Sequence, residues 1–291
     1  MTIDSHHARI RPITRLLAEL QTSITANGVR TFDGRLDRFV IYTLATRVTG
    51  LPDPATATIA PTSVHALAQS LGRPYETIRR HVTALVADGL CHRAGNRINV
   101  TPEGLARPAI AQLLRWTHDC FARFVEDLKE TGVAVPETRR APYHMATGVR
   151  AAADIMLAVT QTNREKHAGW LDLVLFSTVV AGNCRGQPLS PDPSFASHPV
   201  SALAAGRTIG VTAATANRHC AAMVAGGQLV RVRGGFLVNP AWLSHPTAQA
   251  VTDNSLQNVR RLLGVVAAAG FPFDDPASAY CDGRPPLTPI I

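Results

Sequence analysis

The residues whose types and spacing suggest a chemistry form a cluster on one predicted helix. Arg79 and Arg80 are adjacent, Glu76 precedes them, and Thr83 follows. Arginine can form two hydrogen bonds to guanine, and glutamate can accept one from the amino group of cytosine. The cluster therefore suggests recognition of DNA bases. The alternative interpretation is an ordinary solvent-exposed helix face, which charged residues occupy by default.

The histidines and cysteines form no recognisable catalytic or metal-binding pattern. The sequence contains no P-loop, no GxGxxG after a predicted strand, no HExxH and no GxSxG. The eleven histidines include no pair with convincing metal-ligand spacing, and the five scattered cysteines include no CxxC pair. We therefore expect no enzymatic activity, no cofactor, no metal site and no disulfide framework.

The composition indicates a folded, mainly helical and basic protein. Hydrophobic residues make up 46% and aromatic residues only 5%, so the core must be largely aliphatic, which favours helices. The net charge is +8, with 18 basic against 13 acidic residues before position 141 and 11 against 8 after it. Such an excess is compatible with a polyanionic partner but does not identify one.

The sequence lacks the apolar segments that would direct it to a membrane. No stretch approaches ~18 consecutive apolar residues, the length that a transmembrane helix needs. The N-terminal residues lack the apolar core of a signal peptide. We therefore expect a cytoplasmic protein that makes no membrane contact.

An internal repeat divides the chain into two units. An offset of 138 aligns residues 66–108 with 204–246 without a gap, and 14 of the 43 positions are identical, among them Gly72/Gly210, Arg80/Arg218, His81/His219 and Pro108/Pro246. Upstream the offset is 135, as in Leu36-Asp37 against Leu171-Asp172. The repeat predicts two duplicated domains, residues 1–140 and 141–291.

Each unit contains the signals of two short helices followed by a hairpin. In the first unit Ser63 is a plausible N-cap, Gly72 ends one helix, and the next helix runs over about 75–87. This pattern predicts helix-turn-helix segments over about 63–88 and 199–226 and β-hairpins, or wings, over 90–101 and 228–239. Apolar residues at helical spacing predict long helices over 108–131 and 247–269. The predicted fold is mainly α with small β-hairpin wings.

The segment 72–81, GRPYETIRRH, followed by Leu85 and Asp88-Gly89-Leu90, resembles the recognition helix of bacterial winged-helix transcription regulators. The similarity is to the MarR, GntR and Crp-like groups and covers about 45 residues in each unit. It implies tandem winged helix-turn-helix domains and double-stranded DNA as partner. MarR-like proteins dimerise through helices that flank the winged helix. The resemblance therefore suggests either a homodimer or an intrachain pseudo-dimer through the long helices.

A helical projection separates an inward from an outward face on each predicted recognition helix. Ile78, Val82 and Leu85 form the inward stripe in the first unit, and His81 at its edge is best explained as a half-buried structural residue. In the second unit the inward stripe is Ala216, Cys220 and Met223. Its outward face, with Ala214, Arg218 and Ala221, is poorer in groups that read bases.

The candidate DNA contacts comprise the outward helix faces, their first turns and the wings, where arginines could enter a narrow minor groove. For the wings, a surface hairpin without such a role is an equal alternative. The candidates are Arg73, Tyr75, Glu76, Thr77, Arg79, Arg80, Thr83, Arg93, Asn96, Arg97, Thr212, Thr215, Asn217, Arg218, Arg231 and Arg233.

Together these features predict a sequence-specific DNA-binding transcriptional regulator with two unequal units. Two alternatives use tandem winged helices in other ways: a plasmid replication initiator, and a chromosome-partition protein in which winged helices bind protein. The basic recognition helix of the first unit argues against binding to protein alone.

Overall fold

The computed structural model describes residues 5–49, 51, 62–163, 169–189 and 198–291. The protein is mainly helical, with two small antiparallel sheets. No helix within these ranges is long and apolar enough to cross a membrane.

The first half of the chain contains six helices and three short strands in its described part. In order they are α1 (Ser5–Thr31), α2 (Leu36–Thr49), β1 (Thr62–Ser63), α3 (Val64–Leu71), α4 (Tyr75–Ala87), β2 (Cys91–Ala94), β3 (Arg97–Val100), α5 (Pro102–Leu105) and α6 (Pro108–Glu130).

The second half follows the same order of helices, hairpin and long helix. Its elements are α7 (Met145–Thr162), α8 (Trp170–Asn183), α9 (Ala202–Ile209), α10 (Ala213–Ala225), β4 (Leu229–Val232), β5 (Gly235–Val238), α11 (Pro240–Leu243) and α12 (Pro246–Ala268), with a final 3-10 turn at Pro276–Ala279. From α3 to α6 and from α9 to α12, helix bounds and hairpin strands correspond at a constant offset of 138.

Each half has a small sheet directly after its second short helix. Strand β3 pairs with β2 and with β1, and β4 pairs with β5. In the position that β1 has in the first half, the second half has a single bridge between Val200 and Phe236. These two residues lie 138 positions after Thr62 and Ile98, which pair in the first sheet. The two sheets therefore share their pairing pattern down to this bridge.

The hairpins differ by one residue, in part, from the strands that the sequence predicts, which are 90–93 and 97–100 in the first wing and 229–233 and 236–238 in the second. Leu90, predicted to begin a strand, donates its amide to the Leu85 carbonyl and so closes the end of α4. Strand β2 therefore begins at Cys91. In the second hairpin Val232 pairs with Gly235, which leaves Arg233 and Gly234 as the turn.

One continuous apolar core runs through both halves. Helices α1, α6, α7 and α12 form its centre: α1 and α7 each pack against both α6 and α12. Leu16 of α1, Phe121 of α6, Ala152 of α7 and Leu263 of α12 are almost fully buried there. The predicted boundary near residue 140 lies in an irregular segment between α6 and α7, yet the halves on either side share this core.

The two long helices are arranged differently from the expectation that they would pack on each other. Their main neighbours within the described chain are α1 and α7. The sequence pattern did not predict this role for α1 and α7. Helices α1 and α7 cover the apolar stripes of α6 and α12, so the two long helices are connected through α1 and α7.

Residues 269–291, which we call the C-terminal strap, run from the end of α12 across α6 to α8. Arg284 pairs with Glu126 and Asp127, and the Arg123 guanidinium donates to the Pro285 carbonyl at 2.8 Å. At the far end, Ile290 is buried. The strap therefore ties the end of the second half onto the long helix of the first.

Candidate nucleic-acid interface

Helices α3 and α4 are joined by a tight turn at Gly72. The residue has φ 59° and ψ 34°, a left-handed conformation that glycine adopts without a steric penalty. Its amide hydrogen-bonds to the Ala68 and Gln69 carbonyls, and Ser63 caps the start of α3 by accepting from the Ala66 amide at 3.0 Å. Local sequence signals therefore fix the angle at which α4 leaves α3.

The second half builds the same turn from equivalent residues. Ser201 accepts a hydrogen bond from the Ala204 amide at 3.0 Å, and Gly210 has φ 73° and ψ 31°. Thr212 then caps α10 by accepting from the Thr215 amide at 3.1 Å. Thr212 and Thr215, predicted as DNA contacts, thus stand at the first turn of α10 and hold its start together.

Helix α4 has a buried face and an exposed face. Ile78, Val82 and Leu85 have no exposed surface, and the opposite side carries the exposed side chains of Glu76, Arg79, Arg80 and Thr83. Helix α4 packs on α2 and α3 through its apolar stripe. The polar face is thereby directed away from the protein core.

Two of the exposed side chains on α4 form a pair. The Arg79 Nε lies 2.9 and 3.0 Å from the two carboxylate oxygens of Glu76. This hydrogen bond lowers the pKa of Glu76 and raises that of Arg79. Arg80, also exposed, makes no hydrogen bond or ion pair with the part of the chain that the structure describes. Its guanidinium presents its donors to solvent.

Tyr75 links the start of α4 to the wing. Tyr75 is 40% exposed, and its hydroxyl lies 3.5 Å from the Asn96 Oδ1 in the turn of the first hairpin. The Asn96 carbonyl accepts a hydrogen bond from Val64, the first residue of α3. Tyr75 and Asn96 therefore form one exposed surface with the outward face of α4.

Arg73 lies on the other side of the turn and makes contacts within the protein. Its guanidinium is 3.6 Å from the Asp37 carboxylate and lies 5.8 Å above the Trp170 ring. Thr77 is half-buried. Of the residues predicted on this helix and turn, these two contribute least to the exposed face. Arg73 instead holds the turn against α2 and the start of α8.

The first wing carries two arginines in different environments. Arg93 Nε donates to the Gly95 carbonyl at 2.8 Å, which braces the hairpin turn. Arg97 is exposed at the start of β3. Arg97 is therefore the freer of the two for an external contact.

Helix α10 presents a plainer outward face than α4. Ala216, Cys220 and Met223 form its buried stripe, while Ala214 and Ala221 occupy exposed positions beside Arg218. Arg218 Nη2 lies 3.5 Å from a ring nitrogen of His219. The second helix thus offers fewer side chains that could read a base.

The second wing is joined to α10 through Arg231. Its guanidinium donates to Asn217 Oδ1 at 2.8 Å and lies 4.8 Å over the Phe236 ring. Arg233 is exposed in the turn of the hairpin. The structure therefore brings helix and wing together in each half, through Tyr75 and Asn96 in the first and through Asn217 and Arg231 in the second.

A histidine–aspartate contact joins α4 to α2 in the first half and α10 to α8 in the second. His81 lies 3.6 Å from Asp37 of α2, and the Nδ1 of His219 lies 2.5 Å from the Asp172 carboxylate of α8. The sequence pattern predicts a structural role for these histidines but not their partners. The signal was present, because both aspartates recur at the upstream offset of 135.

Comparison with known proteins gives no relative for this chain: no family model, no curated protein and no solved structure matches it.

Proposed function

We propose that the protein is a sequence-specific DNA-binding transcriptional regulator with two unequal winged helix-turn-helix units, α2–β3 and α8–β5, joined as an intrachain pseudo-dimer. Helix α4 would enter the major groove as the main reader of bases, with α10 as a second, weaker reader. The wings would contact the backbone or the minor groove beside them.

The observation that carries this proposal is the outward face of α4. A helix held by a fully buried apolar stripe, standing after a capped short helix and a glycine turn, presents Arg79 and Arg80 to solvent. The exposed ion pair between Arg79 and Glu76 is worth little in water, so a DNA base can replace either partner at small cost. Both side-chain types have a matching base edge in the major groove.

Two cavities at equivalent places support the pseudo-dimer. One lies between α2, α6, α7 and α1, and the other between α8, α12, α1 and α7. Their matching wall positions, at offsets of 138 or 135, are Leu113 and Val251, Thr117 and Ser255, Ile24 and Val159, and Ala18 and Ala153. Because α1 and α7 exchange places between the two walls, the arrangement is the one that a pseudo-twofold axis between the proposed units would produce.

The test compares two double substitutions of adjacent exposed arginines. Arg79→Ala with Arg80→Ala should weaken binding to the preferred DNA site by about 1–3 kcal/mol for each base that the variant can no longer read. Arg260→Ala with Arg261→Ala removes the same charge from α12, outside both helix-turn-helix segments, and should change the preference among sequences much less. The preferred site comes first from selection of bound genomic fragments by the full chain.

The outcomes separate the proposal from its alternatives. Equal weakening in both variants would mean that only net charge matters, which contradicts base reading by α4. Selected fragments that cluster as repeats at a replication origin would favour an initiator over a regulator. Failure to enrich any fragment would reject sequence-specific DNA binding, and failure to retain any DNA at low salt would reject DNA binding altogether.

A further inference from the structure

Three side chains that could bind a metal ion meet beneath the C-terminal strap. His118 and Asp119 are adjacent on α6 and almost fully buried, and Cys281 comes from the strap. One potential ligand atom from each residue lies within 4.8 Å of the others. His118 and Cys281 are 163 residues apart in sequence, so the sequence shows no recognisable metal-ligand spacing for this cluster.

The separations between these atoms approach those of a tetrahedral zinc site. The Sγ of Cys281 is 3.5 Å and the Oδ1 of Asp119 is 3.0 Å from the Nδ1 of His118. With metal–ligand distances of about 2.0–2.3 Å, neighbouring ligands of tetrahedral Zn²⁺ are about 3.3–3.7 Å apart. The third pair, Cys281 Sγ and the Asp119 oxygen, lies within 4.8 Å, so small shifts of the Asp119 carboxylate and of Cys281 would admit the ion.

The surroundings of the cluster orient the ligand atoms. The Nε2 of His118 lies 3.1 Å from the Tyr143 hydroxyl, as expected for the second nitrogen of a metal-binding histidine. The carboxylate of Asp119 accepts the amides of Cys281 and Asp282 at 2.8 and 2.9 Å. Each carboxylate oxygen has two lone pairs, so these bonds leave capacity for a metal.

The shared architecture does not require this cluster. At the equivalent positions of α12, the second half has Leu256 in place of His118 and Gln257 in place of Asp119. Leu256 is buried in the same core. An apolar residue therefore serves the packing role, and the histidine and aspartate on α6 need another explanation.

We propose that His118 Nδ1, a carboxylate oxygen of Asp119 and Cys281 Sγ bind one Zn²⁺ ion, with a water molecule as the fourth ligand. This mixed nitrogen, oxygen and sulfur set suits Zn²⁺. On binding, the thiol releases its proton to solvent, and the neutral imidazole carries its one proton on Nε2, which donates to the Tyr143 hydroxyl oxygen, so that the Nδ1 lone pair facing Asp119 is available to the metal. Cys281 is the partly exposed member, so water enters from its side. The ion would clamp the strap onto α6.

Cobalt provides a direct test on the full-length protein. After treatment with a chelator, the protein is titrated with Co²⁺ and then with Zn²⁺, and native mass spectrometry counts the bound ions. We expect one equivalent of Co²⁺ with a thiolate-to-cobalt charge-transfer band in the near ultraviolet, and its displacement by Zn²⁺. Cys281→Ser should abolish the band and weaken Zn²⁺ binding about tenfold or more.

The control is Cys184→Ala, which removes a buried thiol at the end of α8 and should leave the cobalt spectrum unchanged. Loss of the band in this control but not in Cys281→Ser would place the metal elsewhere and overturn the proposal. The absence of the band from the wild-type protein would overturn it without recourse to any variant. The cluster would then be a hydrogen-bonded fastening of the strap and nothing more.

Discussion

The arginines on α4 differ in what each must give up before it binds a partner. Arg79 has to leave or share Glu76, whereas Arg80 has only water to displace. The outward direction of both side chains could be predicted from the sequence, because it follows from the 3.6-residue period of the helix. The contact of Arg73 with Trp170 could not, because its partner lies 97 residues away in a different unit.

His81 makes stability depend on pH. Burial lowers its pKa below 6.5, with Arg38, Arg80 and Arg35 acting in the same direction, while Asp37 opposes the shift. The unfolded chain therefore binds this proton more readily than the folded chain. The free energy of unfolding should decrease as the pH falls through 6.5 toward the lower folded-state value.

The measurement is urea denaturation of wild type and His81→Gln at several pH values between about 8 and 5. The advantage of the neutral histidine should shrink toward low pH, so the two curves of stability against pH should converge or cross. His92→Gln, an exposed position on β2, serves as control. Parallel curves for wild type and His81→Gln would show that this histidine does not titrate differently on folding.

At the scale of the element, the helix-turn-helix segments were the most predictable part of the molecule. The Ser63 cap, the glycine turn at Gly72 and the apolar stripe of α4 are local signals, and each stands where the sequence predicts it. Strand β2 begins one residue later than predicted because the amide of Leu90 makes the closing hydrogen bond of α4. Periodicity alone does not reveal such competition between a helix end and a strand.

The two turn glycines give a matched pair of substitutions. Gly72→Ala should cost about 1 kcal/mol of stability through left-handed strain, since no atom lies within 4 Å of the added Cβ. Gly210→Ala should cost at least about 1 kcal/mol more, because its Cβ would stand 2.6 Å from the Gly34 carbonyl oxygen and from Val29. Urea denaturation measures both. Equal destabilisation would mean that the contact between α1 and the second turn is absent or easily moved.

At the scale of the whole molecule, the sequence predicted two units but not the way they join. The offset between the repeats is visible in the sequence. That α1 and α7 each pack on the long helices of both halves depends on contacts between distant helices, which the sequence pattern does not show. Helix α1 packs closely on α8 of the other half, and the side chains of Gln21 and Ser177 meet there at 3.0 Å. A repeat alone cannot distinguish two separate cores from one that is shared.

The shared core predicts a monomer that unfolds as one body. Light scattering should give a mass near 31.1 kDa at low concentration, and chemical denaturation should show one transition. Variants that keep only Trp116, in the first half, or only Trp242, in the second, report each half separately. Different midpoints for these two probes would show that the halves unfold independently, and a stable dimer would contradict a self-sufficient pseudo-dimer.

The packing of α1 and α7 on both long helices has a consequence for the spacing of a DNA target. Because α4 and α10 both stand on a single core, the proposed binding to DNA would fix their rotational phase around the double helix. One inserted base pair turns a half-site by about 34–36° relative to the other. A bound operator should therefore tolerate substitutions under α10 better than a single-base insertion between its two halves.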